Sequence, residues 1–174
     1  ITKNKYYSLS DKLQKDLMIL NCGFRIDEVS GDDTKQMIKD ILCIENNSYG
    51  YPWSEKIFND CLKNNYLCRV LILDNVLIGF LISSIIQDEC HIMNLCVDAK
   101  YRGSGYGRLI LNKLHDEIAT FSCKTVFLEC RPSNISAMHL YESEGYNEIG
   151  VRRNYYPAPN GYEDAVMLAK NVKK

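Results

Sequence analysis

The sequence predicts a single α/β domain built on a mixed, mostly antiparallel sheet with helices on both of its faces. Three observations lead to this fold class. The chain has 174 residues and is 46% apolar, which suffices for one substantial core and is short for two. Three strand-like segments separated by polar breaks occupy its middle. A helix–strand–helix alternation follows them and requires a parallel crossover.

The first part of the domain predicts one strand and two helices. Residues 24–29 alternate apolar and polar side chains, as in a half-buried strand. After Asp33, a capping type of residue, apolar side chains recur at helical spacing over 37–44. Pro52-Trp53 breaks that helix, and Ser54 is placed to cap the next one.

The middle of the chain predicts an antiparallel meander. Its strands cover residues 68–73, 76–82 and 92–97. Asp74-Asn75 separates the first two, and both residue types tolerate the positive φ that a tight hairpin turn needs.

The second half completes the sheet. We expect a helix over 106–121, a strand over 125–129, a helix over 134–144 that ends at Gly145, and final strands over 146–153 and 163–169. Residues 23–172 therefore form the predicted domain. Residues 1–22, which include a short amphipathic stretch, form an N-terminal extension.

Composition argues against several classes of protein. The chain has 21 basic and 22 acidic residues and a net charge of −1, whereas a protein that coats nucleic acid carries a strong positive field. No apolar run approaches the roughly 18 residues of a membrane span, and the N-terminus lacks a signal-peptide pattern. We expect a cytoplasmic protein with no membrane or direct nucleic-acid partner.

Cysteine and histidine give no sign of a metal site. The eight cysteines lie in apolar stretches without a C-x-x-C pair, so we expect buried, reduced thiols. The three histidines, His91, His115 and His139, are far apart in the sequence and form no metal-ligand spacing. We predict no metal.

The glycine-rich segment 102–107 is the strongest functional signal. Its three alternating glycines stand between a strand and a helix, where glycine lets a ligand approach the backbone and the first helical turn offers N–H groups to an anion. A phosphate group fits such a site. Arg102 and Arg108 are placed to add charge-assisted contacts.

The residues of this segment alone suggest three kinds of loop. A P-loop is excluded because no Lys-Ser or Lys-Thr follows the glycines. A dinucleotide-binding loop has a different glycine spacing and opens its domain, although Glu129 lies about where a ribose-binding acid would be. A glycine-rich turn without a ligand also remains open.

The stretch from Val97 to Leu109 resembles motif A of the GNAT N-acetyltransferases, [Q/R]-x-x-G-x-[G/A], which Arg102, Gly105 and Gly107 match. Further matches point to the RimI-type branch, whose members acetylate the N-terminal alanine of ribosomal protein S18. These matches are Pro52-Trp53-Ser54, residues 128–134, Ala137, 140–142, Gly145-Tyr146 and 152–157. The resemblance spans roughly residues 24–169.

The resemblance implies acetyl-CoA as co-substrate and direct attack by an amine in a ternary complex. Glu129 would take the proton of the ammonium, and Tyr141 would protonate the departing thiolate. The implied cofactor-binding residues are Leu95, Cys96, Val97, Arg102, Gly103, Ser104, Gly105, Tyr106, Gly107, Arg108 and Asn134.

Each of these roles has a structural alternative. Tyr141 fits a core aromatic on an amphipathic helix. Glu129 fits a salt bridge with Arg131, and Asn134 fits a helix N-cap. Cys130 invites an acetyl-cysteine route, but neighbours on a strand point to opposite faces and should not share a site with each other.

The acceptor groove is predicted from aromatic residues, whose planar side chains give contact area at a low entropic cost. The implied substrate-binding residues are Trp53, Arg131, Tyr155 and Tyr156. We expect a protein N-terminus as the acceptor, that of ribosomal protein S18 by resemblance. Another amine, such as a polyamine, an aminoglycoside or a lysine side chain, and a non-catalytic acyl-CoA-binding module remain alternatives.

Overall fold

The structure is a computed structural model that describes residues 24–172. This part of the chain contains one sheet of seven strands and four α-helices. The strands are β1 (Arg25–Glu28), β2 (Leu67–Leu73), β3 (Val76–Ile86), β4 (Glu89–Val97), β5 (Thr125–Cys130), β6 (Asn147–Ala158) and β7 (Gly161–Asn171). The helices are α1 (Thr34–Ser48), α2 (Glu55–Lys63), α3 (Tyr106–Thr120) and α4 (Ile135–Ser143). The predicted extension, residues 1–22, lies outside the described residues.

The sheet is mixed in the way that the sequence predicts. Its strand order is β1-β2-β3-β4-β5-β7-β6. The central pair β4–β5 is parallel, and every other neighbouring pair is antiparallel. Helix α3 makes the crossover that joins the parallel strands, because two parallel neighbours cannot be joined by a tight turn. The predicted fold class is confirmed.

Each face of the sheet packs on its own pair of helices. On one face, α1 and α2 bury Ile41 and Phe58 against Phe80 of β3. On the other face, α3 and α4 bury Leu111 and Tyr141 against the central strands. A fully buried side chain of this size stabilises the fold by about 1.5–3 kcal/mol through its removal from water.

The predicted turns and caps are partly confirmed. Asp74 and Asn75 have φ values of 49° and 66° and form the two-residue hairpin turn. Asn134 caps α4 by accepting a hydrogen bond from the Ala137 amide at 3.2 Å. Ser54 does precede α2, but its side chain makes no capping hydrogen bond.

The strands β3 and β4 extend beyond the predicted segments. β3 continues through Ser83 and Ser84 to Ile86, and β4 begins at Glu89. The two serines are polar yet buried, and Ser83 pairs with Ile92 across the ladder. Backbone pairing therefore continues where side-chain polarity suggests an end.

The seven cysteines that the structure describes are free thiols, and all but one of them are buried. Cys43 is exposed, while the other six are buried. Cys43 lies on the solvent side of α1, so the expectation of a buried thiol is wrong at this position. No described helix has the length and apolarity that a membrane crossing requires.

Candidate active site

A cavity of about 390 Å³ opens where β4 and β5 separate. The parallel pairing of these strands ends at Ile92 opposite Leu128. The residues that follow on each strand, 93–95 and 129–130, line the cavity. The loop between α1 and α2, the start of α4 and the end of β6 supply the remaining walls.

A β-bulge at Met93 re-aims the side chains of β4 at the cavity. Ile92 pairs with Ser83 and Asn94 pairs with Ile82, so Met93 is an extra residue on its strand. Before the bulge, Ile92 packs on the face that α3 covers; after it, Leu95 does so, and Cys96 packs on the opposite face. One inserted residue has exchanged the faces of the strand.

Glu129 lies in the cavity wall with its carboxylate in an ion pair. Its Oε1 is 3.2 Å from Nε of Arg152, and 26% of its side chain is exposed. The alternative that Arg131 is its salt-bridge partner is wrong. Arg131 instead binds Glu163 at 3.0 Å and donates to the carbonyl of Pro157. Strand β7 supplies that carboxylate, and no local sequence pattern indicates so distant a pairing.

Tyr141 lines the same cavity and is only 6% exposed. Its ring packs edge-on against Tyr146 with 5.6 Å between centroids. Burial, together with the nearby Cys130 and Tyr156, raises the pKa of Tyr141 well above its ordinary value. The phenol is thus protonated at neutral pH and is able to donate a hydrogen bond to a leaving group.

Cys130 is a protonated core thiol. It is 5% exposed and belongs to the core under α3, and burial raises its pKa to about 11. A thiol is a good nucleophile only as the thiolate. The acetyl-cysteine route therefore lacks the species that it needs. The alternation argument is wrong on one point, because Glu129 and Cys130 both line the cavity where β4 and β5 separate.

The predicted substrate-binding residues are brought together as an aromatic wall. Trp53, Tyr155, Tyr156 and Arg131 all line the cavity. The Tyr156 hydroxyl donates to the carbonyl of Glu129 at 3.0 Å, and the Arg131 guanidinium stacks 4.3 Å from the Tyr156 ring centroid. These contacts fix Tyr156 beside one of the predicted catalytic residues.

A second bulge shapes this aromatic wall. Residues 153–155 of β6 stand opposite the single residue Asp164, since Arg152 pairs with Ala165 and Tyr156 pairs with Glu163. The Asp164 carboxylate accepts from the Asn154 amide at 2.9 Å and from Arg153 at 2.6 Å. It thereby holds the bulge in its conformation.

The glycine-rich segment lies at the start of α3 in the conformation that an anion site needs. Gly103 and Gly105 have φ values of 76° and 88°, and a Cβ at either position would meet open space. Gly105 is the N-cap of α3 and has no capping side chain. The positive end of the helix dipole is thus approachable, which fits a diphosphate group.

Several other predicted cofactor-binding groups have partners within the protein. Arg102 donates to the Val97 carbonyl and to Ser48, both at 2.8 Å, and Arg108 forms an ion pair with Glu144 at 2.6 Å. Cys96 is a buried residue of the core under α1. The side chains of Arg102 and Arg108 therefore brace the segment, and their contact with a cofactor stays a prediction.

The acetyltransferase (GNAT) family model matches residues 35–146. The chain belongs to the GNAT family of acetyltransferases. Ribosomal protein bS18-alanine N-acetyltransferase of Salmonella typhimurium is 41% identical to it over 126 residues, which are 72% of this chain and 85% of that protein. The same enzyme of Escherichia coli is 40% identical over an equal span.

The fold of this GNAT acetyltransferase is also found in solved structures. The crystal structure of the ribosomal-protein-S18-alanine N-acetyltransferase from Escherichia coli superposes with a TM-score of 0.79 at 35% identity, covering 87% of this chain and 95% of that one. Ard1 from Thermoplasma volcanium shares the fold, with a TM-score of 0.77 at 20% identity. Members of the family use acetyl-CoA as the acetyl donor.

Sequence reasoning missed several residues that line the cavity of this acetyltransferase, among them Glu45, Tyr49 and Asn94. Glu45 is 1% exposed, and the Tyr49 hydroxyl donates to the Leu95 carbonyl at 3.2 Å. A signal for Glu45 was present, because it follows Ile38 and Ile41 at helical spacing on the buried face of α1. Within residues 24–172, no group of His, Cys, Asp and Glu side chains is arranged to hold a metal ion.

Proposed function

We propose that this acetyltransferase moves the acetyl group of acetyl-CoA to the N-terminal α-amine of a protein, the alanine that begins ribosomal protein S18, within a ternary complex. One observation carries the proposal: Glu129 and Tyr141 line the same cavity of about 390 Å³ as the aromatic residues Trp53, Tyr155 and Tyr156. Relatives at about 40% identity that act on this alanine support the choice of acceptor. The proposal includes a cytoplasmic location, because ribosomal proteins are made there.

The glycine-rich segment binds the donor. Acetyl-CoA supplies the activated thioester. The amides of residues 103–107 hold its diphosphate, because the two positive-φ glycines leave the backbone uncovered at the end of the α3 dipole. Asn134, which lines the cavity while capping α4, contacts the pantetheine arm. Beyond Ile92, β4 no longer pairs with β5. The pantetheine arm pairs with this edge of β4 as if the arm were an added strand.

Glu129 prepares the nucleophile. An α-amine has a pKa of about 7.7–8.0, so most of it is protonated at neutral pH and unable to attack. The Glu129 carboxylate, directly or through a water molecule, takes the proton from the ammonium nitrogen. A backbone N–H near Val97 polarises the acetyl carbonyl as the amine approaches.

Tyr141 assists the leaving group. Because its pKa is raised, the Tyr141 hydroxyl keeps its proton at neutral pH and is able to donate a hydrogen bond to a negatively charged acceptor. The sulfur of the departing CoA thiolate is such an acceptor, and its negative charge is stabilised by the phenolic O–H. Cys130 takes no covalent part.

Mass spectrometry of a peptide with the S18 N-terminal sequence tests the proposal. Incubation with acetyl-CoA and the enzyme should add one acetyl group at the α-amine. The panel should include the same peptide with a blocked N-terminus and an internal lysine, spermidine and an aminoglycoside. Preferential acetylation of one of these other amines would contradict the proposed acceptor. No turnover with the S18 peptide or with any of the other amines would indicate a non-catalytic acyl-CoA-binding module.

A further inference from the structure

Two carboxylates line the cavity, and they differ in whether a cation already compensates them. Glu129 is paired with Arg152 at 3.2 Å. Glu45 is 1% exposed, and no Lys, Arg or His nitrogen among residues 24–172 lies within ion-pair distance of it. A buried carboxylate without a cation is costly unless hydrogen bonds or a ligand compensate it.

The Glu45 carboxylate is fixed in the cavity wall by two donors. Its Oε1 accepts from the Trp53 amide at 2.8 Å, and its Oε2 accepts from Nδ2 of Asn94 at 3.1 Å. Both donors belong to residues that line the cavity. Each carboxylate oxygen accepts about two hydrogen bonds, so the group retains capacity for a cationic donor from the cavity.

The charged and titratable neighbours of Glu45 do not neutralise it. Tyr49, which directly follows α1, and Cys96 on β4 interact with it electrostatically and are neutral acids. Across the cavity, the cation of Arg131 is engaged by Glu163. Desolvation raises the pKa of Glu45, while its two donors act in the opposite direction.

We propose that Glu45 binds the α-ammonium group of the acceptor peptide, so that the substrate supplies the positive charge that this wall of the cavity lacks. The inference rests on the proposed function, since it requires an α-amine as acceptor. It divides the work between the two carboxylates: Glu45 recognises the ammonium, and Glu129 receives its proton. Glu45 is then a determinant of specificity for a free N-terminus.

A binding cycle that needs no turnover tests this role. The affinity of the CoA-bound enzyme is measured by calorimetry for an Ala-starting peptide and for the same peptide with propanoyl in place of alanyl, which lacks only the ammonium. The proteins are wild type, Glu45→Gln, Glu129→Gln and Glu148→Gln. Glu148 is exposed on β6 and is not among the cavity-lining residues, so its variant is the charge-matched control.

Wild type should prefer the amino peptide by roughly 10-fold or more, the usual effect of a hydrogen-bonded charged group. Glu45→Gln should bring the two affinities close together while the propanoyl peptide binds as before. Glu148→Gln should keep the full ratio, and Glu129→Gln most of it. If Glu45→Gln keeps the ratio, or if Glu129→Gln alone abolishes it, the role assigned to Glu45 is wrong.

Two further checks distinguish a failure of the Glu45 inference from misfolding of the variant and from a failure of the proposed function. The Asn94 amide is able to rotate and accept from the new glutamine, so the variant is expected to fold, and retained CoA affinity checks that. Should it not fold, a crystal structure of the wild-type enzyme with CoA and the Ala-starting peptide decides: an α-nitrogen hydrogen-bonded to Glu45 supports the role, and one bonded to Glu129 alone overturns it. If wild type acetylates the peptide and Glu45→Gln keeps the ratio, only the inference fails. If wild type acetylates no α-amine, the proposed function fails first.

Discussion

Substituting Gly105 by alanine tests two properties of this glycine separately: its left-handed backbone conformation and the close approach of the CoA diphosphate that it permits. Gly105 has a φ of 88°, and a Cβ there meets no atom within 4 Å. The cost to the folded state is therefore backbone strain without a steric clash. An L-residue in the left-handed region costs about 1–2 kcal/mol. At about 2–4 °C per kcal/mol for a chain of this size, the melting temperature should fall by roughly 2–8 °C.

Two further glycines provide matched controls for the effect on cofactor binding. Gly31 also has a positive φ, 75°, and open space around it, and it precedes α1, far from the start of α3. Gly50 has open space without a positive φ. Gly31→Ala should lose stability by a similar amount without weakening CoA binding, and Gly50→Ala should change neither.

Calorimetric titration with CoA gives the deciding measurement. The methyl group of Gly105→Ala lies where the diphosphate approaches the backbone, and the loss of one charge-assisted hydrogen bond amounts to about 10-fold in affinity. We expect at least that loss for Gly105→Ala. If this variant loses stability as Gly31→Ala does and still binds CoA as tightly as wild type, the start of α3 is not the diphosphate site.

Three further outcomes follow from the groups around the cavity and the core. Tyr141→Phe should lower kcat by roughly 100-fold or more with little change in CoA affinity, while Tyr162→Phe, at an exposed position of β7, should match wild type; equal kcat values would exclude Tyr141 as the donor to the thiolate. Cys130→Ala should retain turnover at neutral pH, because the pKa of the thiol is about 11; a folded but inactive variant would restore the acetyl-cysteine route. Burial and Lys170 lower the pKa of His115 to about 4 from an ordinary 6.5, so the unfolded chain binds the proton first and stability should fall as the pH drops from about 6.5 towards 4. His115→Gln should flatten that decline in pH-dependent melting curves, and an unchanged slope would contradict the assigned pKa.

The fold could be predicted largely because its signals are local. The alternating strand patterns, the helical spacing of apolar residues, the Asp74-Asn75 turn and the helix–strand–helix alternation after Val97 each depend on a few neighbouring residues. The strand ends were less accessible. Ser83 and Ser84 are buried polar residues whose pairing with β4 is a long-range property, so side-chain polarity alone ended the predicted strand too early.

The site was predictable where a motif marks it and not where the tertiary structure makes it. Glu129, Tyr141 and the aromatic residues do line one cavity, although their chemical roles stay predictions. Arg152, the partner of Glu129, comes from β6 across the sheet. Glu45 lies at helical spacing from Ile38 and Ile41, but a glutamate is rarely buried, so its place in the cavity wall follows only from the packing of α1 against β4.

The unpaired residue Met93 decides which way the end of β4 faces. The residues after it have the opposite orientation to the one that strict alternation from Ile92 would give them, so the position of Asn94 beside Glu45 depends on Met93 staying unpaired rather than on its thioether. Deleting Met93 would leave Asn94 opposite Ile82, as the direct neighbour of Ile92 in a regular ladder. If Met93 were kept and paired opposite Ile82, Asn94 would turn to the α3 side of the strand and the cavity wall would be lost, although every amino acid of the chain would be unchanged.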